Sequence, residues 1–110
     1  MLVQKKPQPL IYGEVCKIPL SKDLYAIVDP EWFWILAQRH WKAVKSKHLF
    51  YAVTRIKKNG KVKTIRMHRL IAHCPPGQET HHKNLNPLDN RRSNLVNLTP
   101  PQHKEAHKFG

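Results

Sequence analysis

The sequence predicts an α+β fold in two parts. A small antiparallel sheet with a packed helix comes first, and a C-terminal unit of two extended arms, a loop and a helix follows. Three local signals carry this reading. Asn59-Gly60 lies between two strand-like runs, the mark of a two-residue hairpin turn whose central positions need positive φ. Asp29-Pro30-Glu31 follows the β-branched and aromatic run LYAIVD and reads as a helix start, with Asp29 as cap and Pro30 where its missing N–H costs nothing. Thr99-Pro100-Pro101-Gln102 reads as another start, a Thr-x-x-Gln capping box with proline at the first helical position.

In chain order, residues 1–9 form a basic, proline-bearing flexible tail. IYGEV is a candidate short strand, and Leu24 to Asp29 a better one. A helix is expected over EWFWILAQRH, its Trp32, Phe33, Ile35 and Leu36 packing on a sheet. The hairpin LFYAVTRIKKNGKVKTIRMH then pairs Lys58 with Lys61, Arg55 with Thr64 and Val53 with Arg66. Tyr51, Val53, Arg55, Lys57, Val62, Thr64 and Arg66 share one face, which is basic and suits a nucleic-acid groove. Phe50, Ala52, Thr54, Ile56, Ile65 and Met67 share the other, with Lys63 near its end, a largely apolar seat for the Trp32 to Leu36 helix. A short helix from His68 to His73 is stopped by Cys74-Pro75, because the residue before proline leaves the helical region. This places units at residues 10–74 and 75–110.

The charge narrows the partners. Lys and Arg number 20 against 7 acids among 110 residues, for a net +13. No acid occurs between Trp32 and Gln78, although eleven cations from Arg39 to Arg69 fall there. A polyanion is the matching partner, with nucleic acid ahead of an anionic membrane surface. Cys16 and Cys74 form no C-x-x-C pair, so the chain has neither a cysteine zinc knuckle nor a disulfide framework. The N-terminus has no apolar run of signal length and no stretch nears spanning length. The expectation is a soluble cytoplasmic protein with reduced thiols.

The C-terminal unit carries the chemistry. His81 and His82 are adjacent on an extended arm, where neighbouring side chains point to opposite sides. One ring can grip a cation while the other faces a water molecule. Asn84, Asn86-Pro87 and Asp89-Asn90 are turn formers, with Asp89 organising the loop. Asn94 to Leu98 is the second arm, and His103 and His107 share a face of the last helix.

ETHHKNLNPLDNRRSNLVNLTPPQHKEAH, residues 79–107, resembles the HNH nuclease motif, a ββα-metal finger, and most of all the small HNH homing endonucleases of phages and mobile introns. YAIVDPE, Trp41 and FYAV…MHRLI look like the upstream part of the same proteins, a three-stranded sheet with one helix. The resemblance implies that His82 is the general base and that Asn94 braces the loop and orients it. It implies that His81 and His103 hold one divalent ion, Mg2+ or Mn2+, with Ni2+ or Zn2+ as alternatives because imidazole ligands suit zinc, nickel or manganese better than magnesium. The expected partner is double-stranded DNA, met by Tyr51, Arg55, Lys57, Arg66, Arg91 and Arg92, and the expected state is a monomer. Two departures stand out. His81 replaces the commoner Asp, and Leu85 replaces the commoner Gly, so the loop is not expected to use positive φ there. Other readings stay open: a non-catalytic DNA-binding module with a degenerate or structural finger, a zinc site made by His81, His82, His103 and His107, or a basic RNA-binding protein.

Overall fold

The computed structural model describes residues 11–12 and 15–109, and the side chains of residues 15–106. The tail of residues 1–9 and the side chain of His107 lie outside the described residues. The architecture is α+β, with small antiparallel sheets and three helices. Strands β1 (Ile11–Tyr12), β2 (Val15–Pro19) and β3 (Tyr25–Val28) form the first sheet in sequence order. Helix α1 (Pro30–Leu36) leads to a second three-stranded sheet of β4 (Lys42–Ser46), β5 (Leu49–Lys58) and β6 (Lys61–Arg66). Helix α2 (Met67–Ala72) connects to a two-stranded ribbon, β7 (Glu79–His82) and β8 (Leu95–Leu98), and α3 (Pro100–Phe109) follows.

The β5–β6 hairpin has the expected register, with Val53 opposite Arg66, Arg55 opposite Thr64 and Lys58 opposite Lys61. Asn59 and Gly60 sit at φ 52° and 76°, the conformation a two-residue turn matched to strand twist requires. The α3 capping box also forms. Thr99 N–H donates to Gln102 Oε1 at 2.9 Å and Gln102 N–H to Thr99 Oγ at 3.4 Å.

Elsewhere the structure departs from expectation. There are two three-stranded sheets rather than one, because the alternating but lysine-rich segment Lys42–Ser46 pairs with β5 and VCKIP pairs with β3. Phe33 and Leu36 of helix α1 share a buried cluster with Ala52 of the hairpin, but the helix lies closest to the first sheet. It packs against β2, burying Phe33 and Leu36 and leaving Ile35 56% exposed, while α2 packs against β5 and β6. Helix α1 also stops at Leu36, short of residue 40. The Trp41 indole N–H donates to the Leu36 carbonyl at 2.8 Å and satisfies one of the acceptors a helix end leaves open. Asp29 occupies the cap position of α1, yet its side chain makes no cap bond. Its carboxylate accepts the Arg92 N–H at 2.7 Å instead, tying the late loop to the first helix.

Among the described residues a buried cluster joins the first sheet, α1, β5, α2 and the ribbon. Cys16, Ile18, Ala26 and Val28 of the first sheet meet Phe33, Leu36, Trp41, Ala52, Met67 and Ile71, and Leu95 of the ribbon belongs to the same cluster. The loop between β7 and β8 also pairs with β3. Ile27 N–H donates to Leu88 O, and Asn90 N–H to Ile27 O, both at 2.7 Å. The ribbon is therefore fixed to the upstream sheet by backbone bonds as well as by apolar contact. Among the described residues no helix is long and apolar enough to cross a membrane. Cys16 and Cys74 are unbridged.

Candidate functional site

Strand alternation sorts the side chains of β7. Register pairs Glu79 with Leu98, Thr80 with Asn97, His81 with Val96 and His82 with Leu95. Thr80 and His82 lie on the side of Leu95 and Asn97, and Asn97 reaches α2 through Nδ2–H to Ala72 O at 2.8 Å. Glu79 and His81 lie on the other side, which α3 crosses. There the His81 and His103 ring centroids are 5.2 Å apart and nearly perpendicular. His81 and His82 are both buried, at 8% and 7% exposure.

The two neighbouring imidazoles thus have different surroundings. His82 Nε2 is 2.7 Å from Asn90 Oδ1. With a carbonyl oxygen as partner, Nε2 carries the proton and Nδ1 is the basic nitrogen. Burial pushes the His82 pKa below the ordinary imidazole value, opposed by the Asn90 bond and the Asp89 charge. His68 of α2 stacks at a tilt 5.0 Å from His82, and Tyr51 lies 5.7 Å from His68 and 6.4 Å from His82. His68 is 5% exposed and its pKa is driven to about 3, by burial first and then by His82, Arg66 and Arg69. It is neutral throughout the physiological range. A pocket of about 270 Å³ is lined by Tyr51, His81, His82 and His103 with Leu49, Thr80, Leu85 and Pro87.

Asparagine and aspartate side chains hold the loop in shape. Asn94, 5% exposed, donates Nδ2–H to Asp89 O at 2.8 Å and to Asn84 Oδ1 at 2.9 Å, and its Oδ1 accepts Asn84 N–H at 3.0 Å. Asp89 accepts Arg91 Nε–H at 2.7 Å, Arg91 Nη2–H at 2.6 Å and Asn84 Nδ2–H at 2.8 Å. Burial works against the Asp89 carboxylate, but these bonds outweigh it and hold its pKa below the ordinary value. Leu85 sits at φ 65°, contrary to the expectation from its side chain. The hydrogen bonds on both sides of it force that backbone, including Leu85 N–H to His82 O at 2.9 Å and Asn86 N–H to Asn84 Oδ1 at 3.0 Å.

The structure brings together His81, His82, His103 and Tyr51 of the residues singled out by sequence. Asn94 braces the loop, while the residue bonded to the His82 ring is Asn90. Sequence reading treated Asn90 as a turn former, and the signal available was its place beside Asp89. His68, placed by the sequence only at the start of a short helix, is buried beside His82. Arg91 is forked onto Asp89 and Arg92 is exposed. Arg55 and Arg66 line a separate groove of about 550 Å³ with Arg39 and Lys42, and Lys57 is exposed beyond them. Tyr51 and Val53 share a face of β5, so this groove and the histidine pocket adjoin along one strand.

The donor set suits a divalent cation. Two imidazoles binding one ion at the usual ~2 Å have centroids roughly 5 Å apart, as His81 and His103 do. No three of the described His, Cys, Asp or Glu side chains converge as a ligand set, so the protein would supply two nitrogens and leave other positions open. Comparisons with known protein families, with curated proteins and with solved structures give no match.

Proposed function

We propose that this chain is a metal-dependent endonuclease of the HNH class, a ββα-metal finger that hydrolyses phosphodiester bonds in double-stranded DNA. The observation that carries the reading is the division of labour on β7: His81 faces His103 of α3, while His82 faces Asn90. Residues 10–74 serve as the DNA-positioning unit and residues 75–110 as the nuclease finger. His82 Nδ1 takes a proton from water as the water oxygen bonds to phosphorus, and the P–O3′ bond breaks. The 3′ oxygen is protonated from solvent, giving a 5′-phosphate and a 3′-hydroxyl. Burial keeps His82 unprotonated at neutral pH, and Asn90 fixes its tautomer. His81 and His103 would hold the ion, which when bound supplies positive charge beside the phosphate and the leaving oxygen. Asn94 keeps the loop closed. Arg55, Lys57, Arg66, Arg91, Arg92 and Tyr51 would contact DNA, with Arg91 offering the edge of its guanidinium that Asp89 does not occupy.

A second reading, a non-catalytic DNA-binding module with a structural finger, draws on the convergence of no more than two imidazoles among the described residues. One assay separates the two. Supercoiled plasmid is incubated with manganese, magnesium or nickel in turn, with a chelator control. Nicking that His82→Ala lowers by at least about 10²-fold while DNA binding persists supports the enzyme. Intact plasmid under every metal, with tight binding, rejects it in favour of the module.

A further inference from the structure

Glu79 is one of only seven acids in a chain of net charge +13, and it stands two residues before His81 on β7. Alternation puts it on the same side of the strand as His81. Helix α3 crosses that side with its start fixed by the Thr99–Gln102 capping box, and this brings His103 over the strand. There Glu79 Oε1 meets His103 Nδ1 in a hydrogen bond. The same ring faces His81.

We propose that Glu79 is the positioning residue of the second metal ligand: its carboxylate takes the Nδ1–H of His103, sets the ring's tautomer and turns Nε2 into the metal donor beside His81. This rests on the metal-dependent reading above. A carboxylate accepting from one ring nitrogen places the lone pair on the other and makes that nitrogen more basic. It also answers an electrostatic difficulty. Two neutral imidazoles bring no negative charge to a cation, and the surrounding protein is strongly positive. Glu79 supplies a compensating negative charge next to the ligand. Glu79 is half exposed, so the pair contributes little to folding and its effect falls on metal binding.

The test is calorimetric titration of the full chain with manganese chloride and with nickel chloride, alongside the metal-induced rise in thermal midpoint. Wild type, Glu79→Gln, Glu79→Ala and His103→Ala are compared. The expected result is one ion per wild-type chain and none for His103→Ala. Glu79→Ala should bind about 10- to 100-fold more weakly with the metal-free midpoint nearly unchanged. Glu79→Gln, which keeps an acceptor but loses the charge, should fall between. Equal or tighter binding by Glu79→Ala, with wild type still binding one ion, overturns the role of Glu79 and leaves the nuclease reading standing. A wild-type chain that binds neither metal overturns both.

Discussion

His82 is shaped by two opposed influences, and each can be removed separately. Burial lowers its pKa and the Asn90 bond partly restores it. The acid limb of the nicking rate should therefore have its midpoint below the ordinary imidazole value of 6.5. Asn90→Leu keeps the site buried but deletes the raising influence, so its midpoint should move to still lower pH. The plateau should fall by about 10²-fold because the ring is no longer held. A pH–rate series on both proteins checks this, and coincident midpoints would show that Asn90 does not act on the ring. Leu85 makes a second point at this scale. An L-residue in the left-handed region costs roughly 1–2 kcal/mol, and Leu85 is 42% exposed, so little packing is lost with its side chain. Leu85→Gly gives back part of that gain through the unfolded chain's greater freedom. A net stabilisation of about 0.5–1 kcal/mol is expected in urea unfolding, and a destabilised variant would mean that the side chain's contacts outweigh its strain.

Helix α2 holds a neutral imidazole in the interior, and that has a cost in acid. His68 titrates at about 3 in the folded protein against an ordinary value of 6.5. The unfolded chain accepts a proton that the folded chain refuses, so stability is full above about pH 6.5 and is lost as pH falls toward 3. At pH 4.5 the loss from this one ring is on the order of 2–3 kcal/mol. His68→Phe should flatten the fall in urea midpoint between pH 7.5 and 4.5, and an equally steep fall in the variant would exclude His68 as its source. Elements of this size were unevenly legible in the sequence. The Asn59-Gly60 turn and the Thr99–Gln102 box were readable because their chemistry is complete within four residues. Strand β4 was hidden, since its lysines mask the alternation and its pairing with β5 is what makes it a strand. The end of α1 depends on Trp41, and the true partner of Asp29 lies 63 residues away at Arg92. The histidines of the site could be picked out by type and spacing. Asn90 could not, because its contact with His82 exists only once the loop has docked on Ile27.

Across the whole molecule, charge and topology point the same way. The stretch without acids includes β4, β5 and β6, and it sets Arg39, Lys42, Arg55 and Arg66 around one groove that adjoins the histidine pocket. A duplex lying along that face would bring a phosphate to His82, and each phosphate neutralised releases counterions. The logarithm of the binding constant should then fall linearly with the logarithm of salt concentration, by about 0.9 per contact. Arg55→Ala with Arg66→Ala removes roughly two contacts and should reduce the slope by about 1.8, on any DNA sequence. Lys45 and Lys63 give the control, because register puts both on the opposite face of the same sheet. Replacing that pair by alanine changes the net charge equally but should leave the slope close to that of wild type. If the two double variants lose slope to the same extent, bulk charge rather than this face governs the encounter with DNA. The adjacency of groove and histidine pocket would then have no part in directing the cut.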